Sequence, residues 1–142
     1  MAGRNGSARW MGDLRSGTGM LTVGDGVFEG NYTFKSRFED GPGTNPEQLI
    51  AAAHAACFTM ALSNILATAG HTPDSVATTA NVQLRNVDGA PTITRIDLDT
   101  EGSVPGINSE QFQKFAEEAK ANCLISRALA GVPEMVLTAK LA

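Results

Sequence analysis

The sequence predicts an α+β fold, with helices packed on an antiparallel sheet in the order βββ–α–ββ–α–β. Three observations predict it. The first forty residues are short apolar runs punctuated by glycine. Residues 45–71 then carry no Lys, Arg or Asp, and helix start and stop signals bound them. Beyond residue 75, period-2 alternation returns before a second helical pattern and a last apolar run.

The opening strands are read from RWMGD, TGMLTVGDG and VFEGNYTF, separated by glycine pairs and the turn signal G-D-G. They predict an antiparallel meander. SRFEDGPGTNPE follows as a polar loop in which Gly41, Pro42 and Gly43 end the strand region. Asn45 is placed to cap the next helix, with Pro46 at its first position and Glu47 in its first turn, where the helix dipole favours an acid. The helix stops at Gly70, with Pro73 shortly beyond. It is about 24 residues and roughly 36 Å long.

TTANVQLRNVDG and PTITRIDLDTEG read as two strands joined at Asp88 and Gly89. In the second, Ile96 and Leu98 alternate with Asp97, Asp99 and Glu101, the sign of a strand with one wet face. Asn108 or Ser109 caps a second helix, with Phe112, Phe115, Ala116 and Ala119 on one face. Cys123 lies at its end, LISRALAG follows as a short apolar turn, and PEMVLTAKLA closes the chain as a strand.

A length of 142 residues suits one domain. The net charge of −4 offers no basic field to a nucleic-acid backbone, so no nucleic-acid role is expected. The N-terminus lacks an apolar signal segment, and a cytoplasmic protein is expected. The charge-free run approaches the ~20 apolar residues of a membrane span. His54, Thr59, Ser63, Asn64 and Thr68 interrupt it, and no membrane association is expected. A helix apolar all round must be covered on every side. Six short strands leave part of it bare, so a second chain is expected to cover the rest. Ala51, Ala52, Ala53, Ala55 and Ala56 would let two such helices approach closely.

Cys57, inside this helix, and Cys123 are the only cysteines, and no C-x-x-C pair exists. A cysteine in apolar surroundings packs as a small hydrophobe, and burial raises its pKa. Cys57 also lies beyond useful reach of its own helix dipole. A reactive Cys57 therefore needs a cation from outside the helix, from among Lys35, Arg37, Arg85, Arg95 and Arg127. Four readings stay open on these residues alone. They are inert thiols in a non-enzymatic binding or structural dimer, a zinc site of His54, Cys57 and Cys123, a Cys–His hydrolase, and a thiol peroxidase in which Cys123 condenses with a Cys57 sulfenic acid.

The run TNPEQLIAAAHAACFTMAL, with SRFEDGPG before it and AKANCLIS well after it, resembles the OsmC subgroup of the OsmC/Ohr family of thiol-dependent hydroperoxide reductases. ARWMGDLRSGTG, TTANVQL and VPGI extend the likeness over nearly the whole chain, as a single domain of residues 1–142. The resemblance implies an intertwined homodimer, with sheets wrapped around long central helices and active sites at the interface. It implies Cys57 as peroxidatic thiolate, Cys123 as resolving thiol, Arg37 as active-site arginine and Glu47 as the carboxylate that holds it. It further implies organic hydroperoxides as substrates, a lipoyl-type dithiol as external reductant, and no metal or organic cofactor. The family often has proline after the resolving cysteine; Leu124 stands here, which puts the helix break at Cys123 in question.

A guanidinium beside Cys57 would favour its thiolate and stabilise a departing alkoxide. Glu47 and Cys57, however, are separated by about 15 Å of helical rise. One arginine hardly bridges that span. Two copies of the helix packed antiparallel about position 52 would bring one chain's Glu47 level with the other's Cys57, so a site shared between subunits is expected.

Overall fold

Local signals in the chain are met by ten elements in the computed structural model, which describes residues 1–142. The chain forms two compact units, Met1–Leu49 and Ile50–Ala142. In the first, β1 (Gly6–Met11), β2 (Thr18–Val23) and β3 (Phe28–Tyr32) make the expected antiparallel meander. Trp10 and Tyr32 approach across it, with ring centroids 5.3 Å apart. Gly19 lies between them, and any side chain there would collide with both rings.

The stretch read as a polar loop contains a short helix, α1 (Phe34–Phe38). Its cause is a reciprocal cap: the Ser36 amide donates to Thr33 Oγ1 at 3.1 Å and the Thr33 amide donates to Ser36 Oγ at 2.8 Å. The Ser36 hydroxyl also donates to the Thr44 carbonyl at 2.8 Å, closing the following loop back onto α1. Asn45 then caps the long helix as expected, its Oδ1 accepting from the Gln48 amide at 2.8 Å. Its Nδ2 donates to the Ser36 carbonyl at 2.9 Å, so one side chain fixes both helix ends.

That long helix, α2, runs from Pro46 to Thr68. It ends where expected: Gly70 adopts φ 88°, and the His71 amide donates to the Leu66 carbonyl at 2.8 Å. By length and composition α2 could cross a membrane, a test that the core helix of a soluble protein also passes. Its buried positions His54, Phe58, Leu62 and Leu66 recur every fourth residue, one stripe of a helix that is apolar all round.

This stripe joins the core of the second unit. There β4 (Ser75–Val87) and β5 (Ala90–Ser103) form a long hairpin. Its turn uses Asp88 at φ 51° and Gly89 at φ 85°, the two positive angles that match the strands' twist. Ile96, Leu98 and Thr100 of β5 face inward, as their alternation predicts. On α3 (Ser109–Asn122), Asn108 and Gln111 make a second reciprocal cap. Phe112, Ala116 and Ala119 form its buried face. Gly102 of β5 leaves the space that the Phe112 ring occupies. A second short helix, α4 (Leu124–Ala128), takes the place of the expected apolar turn.

One pairing corrects the antiparallel expectation. The closing strand β6 (Glu134–Leu141) lies parallel to β5 at the edge of the sheet β4–β5–β6. Two strands joined by a helical crossover run in the same direction, and α3 with α4 is that crossover. The α+β class is unaffected.

Because Leu62 is fully buried in the α2 stripe, Leu62→Ala is expected to cost about 2–5 kcal/mol of unfolding free energy, measurable by denaturant titration.

Candidate active site

Two pairs of side chains collect the four residues singled out in the sequence. The first pair lies in the unit Met1–Leu49. The last turn of α1 carries Arg37 and the first turn of α2 carries Glu47, and the Ser36 and Asn45 bonds hold the two turns together. Arg37 Nη2 donates to Glu47 Oε1 at 2.9 Å, and Nε lies 3.2 and 3.3 Å from the two carboxylate oxygens. A forked contact of this kind orients a guanidinium as well as attracting it. Glu47 is only 8% exposed, whereas the Arg37 side chain keeps 39% of its surface. The exposed part borders a cavity of about 380 Å³ with Trp10, Tyr32, Phe34 and Phe38 in its wall. Glu47 is thus more than a first-turn acid on a helix dipole.

The second pair lies in the unit Ile50–Ala142. Cys57 sits beside the buried stripe of α2 and is partly covered, while Cys123 is 1% exposed in the core. Cys123 ends α3 and begins α4, its ψ of 133° breaking the helix between them. The break therefore forms with Leu124 in the first position of α4, without the proline the resemblance led one to expect.

The two thiols influence each other's ionisation. Burial pushes the Cys57 thiol up, the hydrogen bond to Cys123 and that sulfur's charge push it further, and the amides of Ile125 and Leu124 offset only part of the rise. Burial alone would also raise Cys123, but the Cys57 thiol, the amide and hydroxyl of Ser126 and the amide of Ile125 together bring it below the ordinary cysteine range. Within this unit, then, burial and the neighbouring sulfur disfavour the Cys57 thiolate, and the donors around Cys123 favour its own. The amides at the start of α4 are stabilising donors that the sequence did not reveal, because α4 itself reads as a turn. Cys123 closes no complete cap hydrogen bond with them; they act by proximity.

No cation of residues 50–142 contributes to either thiol. Arg95 is held by Asp97 at 2.7 Å and Glu134 at 3.5 Å, Arg85 donates to Gln83, and Arg127 is exposed. No group of three or more His, Cys, Asp or Glu side chains converges as a metal site, so His54, Cys57 and Cys123 do not form the zinc cluster weighed from the sequence.

His54 engages neither cysteine by a hydrogen bond. Its Nε2 lies 2.8 Å from Ser126 Oγ across 72 positions of chain, both residues being buried, and its Nδ1 has no partner. Burial pushes the His54 pKa down, keeping the ring neutral. Sequence reasoning missed Ser126. Nothing local to LISRA marks one serine as facing a helix so far back.

A family model described as "OsmC-like protein" matches residues 39–138. That span includes Glu47, Cys57 and Cys123, and Arg37 falls just before it. The chain is 48% identical over 127 residues to "Peroxiredoxin OsmC" of Escherichia coli (strain K12), with 89% of each covered. It is 32% identical over 99 residues to "Organic hydroperoxide resistance protein" of Xanthomonas axonopodis pv. citri (strain 306), with 69% of this chain and 68% of the relative covered. Among solved structures, an organic hydroperoxide resistance protein from Elizabethkingia anophelis superimposes with a TM-score of 0.76 at 26% identity, over 97% of this chain and 96% of the other.

A histidine whose pKa is lower folded than unfolded contributes stability that is complete above the unfolded value and is lost as pH falls through the folded one. Unfolding free energy is therefore expected to decline as pH drops below 6.5, the ordinary value for histidine. Denaturant titrations across that range should show the decline, and His54→Gln should flatten it.

Proposed function

The chain belongs to the OsmC family, and on that premise we propose that it reduces organic hydroperoxides with Cys57 as the attacking thiolate and Cys123 as the resolving thiol. It is a cysteine-based peroxidase of the oxidative-stress response. The Cys57 sulfur attacks the terminal oxygen of ROOH; an S–O bond forms, the O–O bond breaks, and ROH leaves with a proton. Cys57 remains as a sulfenic acid. Cys123 attacks that sulfur, the S–S bond forms, the S–O bond breaks and water leaves. An external dithiol, lipoyl-type by family resemblance, reduces the disulfide in two exchange steps. None of these steps calls for a metal or an organic cofactor.

The observation that carries this reading is the meeting of Cys57 and Cys123 in one core, where each shifts the other's ionisation. The same observation sets a requirement. Cys57 alone is pushed towards the thiol form, so the first step needs a positive group that residues 50–142 do not supply. We assign that role to Arg37 of a second subunit, oriented by its own Glu47. The guanidinium would favour the Cys57 thiolate and receive the charge of the departing alkoxide.

A homodimer supplies that second subunit. Ala52, Ala53, Ala56 and Met60 of α2 are exposed in the single chain, Met60 to 75%. A second α2 packed antiparallel over this face would bury it and answer the 15 Å of rise between Glu47 and Cys57. In this reading residues 1–142 act as one domain of a cytoplasmic enzyme.

Treating the reduced protein with one equivalent of an organic hydroperoxide should lower its mass by two hydrogens, and Cys57→Ser should abolish the loss. An unchanged mass at neutral pH favours inert thiols in a non-enzymatic dimer. Subunit mixing tests the shared site. Arg37→Ala and Cys57→Ser proteins should each be inactive, yet regain turnover when dissociated and reassembled together. No recovery would place Arg37 and Cys57 in the same subunit's site.

A further inference from the structure

We propose that the buried hydrogen bond between His54 and Ser126 sets the register of α4 against α2, making both residues positioning residues for the resolving step. The inference rests on the two-cysteine reading and assigns a role to a pair that the reading leaves idle. His54 lies three residues before Cys57 on α2, and Ser126 lies three residues after Cys123, the residue from which α4 starts. Positions three apart on a helix share a face, about one turn from each other. His54 Nε2 and Ser126 Oγ meet at 2.8 Å, so the helix turns that carry the two cysteines are tied directly to each other. His54 and Ser126 are 0% and 6% exposed.

This is the only side-chain hydrogen bond from α2 to any residue beyond it in the chain. The others run within the helix or back to residues 37–45. α4 has five residues, of which Leu124, Arg127 and Ala128 are exposed. Ile125 and the following Leu129 supply its apolar anchorage on the core. Apolar burial is non-directional and tolerates a slide or tilt of so short a helix, whereas a hydrogen bond weakens steeply when misaligned. A lone buried polar contact in an apolar seam is best suited to fixing register. Stability is poorly served by it: His54 Nδ1 is buried without a partner, and an apolar pair of the same size would leave no such atom.

Register matters at one step. The Cys123 thiolate attacks the sulfur of Cys57–SOH, the S–S bond forms, and the hydroxide expelled as the S–O bond breaks takes a proton and leaves as water. The rate scales with the fraction of molecules in which Cys123 stands within reach of the Cys57 sulfur. Once formed, the S–S bond holds the two turns together by itself, so the hydrogen bond acts before it and not after. One such bond favours a single setting over its alternatives by a factor of roughly three to ten. Attack of Cys57 on the hydroperoxide needs no contact with Cys123, and its rate is expected to hold.

Given one equivalent of an organic hydroperoxide, Ser126→Ala should consume it at the parent rate. Its disulfide, followed by mass spectrometry, should form roughly three- to tenfold more slowly. The double variant His54→Leu/Ser126→Ala separates position from stability. Removing both partners leaves no unmatched hydroxyl or ring nitrogen, so its unfolding free energy should equal or exceed that of Ser126→Ala while disulfide formation stays slow. A merely structural role would make the rate follow stability. Disulfide formation at the parent rate in Ser126→Ala overturns the proposal, as does equal slowing of both steps or a rate in the double variant that recovers with stability. All three leave the peroxidase reading intact. Absence of both hydroperoxide consumption and disulfide in the unmodified protein overturns that reading and the proposal with it.

Discussion

Ionising a sulfur that is largely withdrawn from water is unfavourable unless donors are already in place around the anion, and the organisation of residues 50–142 answers that constraint. The α2 stripe carries Cys57 into apolar surroundings, where solvation of a thiolate is poor. The α3–α4 break then brings backbone amides, a serine hydroxyl and a second sulfur to the same place. These donors are fixed by the helices that present them, so little reorganisation accompanies the appearance of charge. Their combined effect falls on Cys123 and leaves Cys57 short of one favourable partner.

Where this partner comes from follows from the same helix. α2 is apolar around its whole circumference but buries only one stripe within a single chain. A surface of that kind, rich in alanine, is adapted to close contact with another helix. Covering it and completing the electrostatics at Cys57 are, in the proposed dimer, one event. The Arg37–Glu47 pair is suited to such a role because it is assembled independently of the cysteines, by a short capped helix, a closed loop and a single asparagine. Only ten positions separate the paired residues, so little chain entropy opposes their meeting.

Strands and helix ends in this protein were legible wherever their causes were local. Glycine punctuation located β1 to β3, Asn45 and Pro46 fixed the start of α2, and the Asp88–Gly89 turn fixed the hairpin of β4 and β5. Even the exposure pattern of Asp97 and Asp99 followed from alternation. The misses have physical reasons as well. α1 is too short for a periodic signal, and its cap uses Ser36 where Glu or Gln is the usual partner of Thr33. The direction of β6 depends on the route of α3 and α4, which residues 134–141 do not encode. The four candidate side chains could be named from family likeness, but the pairing of His54 with Ser126 joins positions whose sequence neighbourhoods carry no trace of each other.

The helix break at Cys123 has a thermodynamic side. By holding one sulfur against another, the folded core sets the effective concentration of each thiol at its neighbour. A disulfide formed there would close a long stretch of chain whose ends the fold has already brought together, so oxidation and folding reinforce each other. Whatever tightens the α2–α3–α4 core therefore makes the oxidised pair harder to reduce. In the proposed cycle, regeneration of the thiols would then suit a strongly reducing dithiol better than a monothiol pool, because the second thiol of a dithiol releases the mixed disulfide from within.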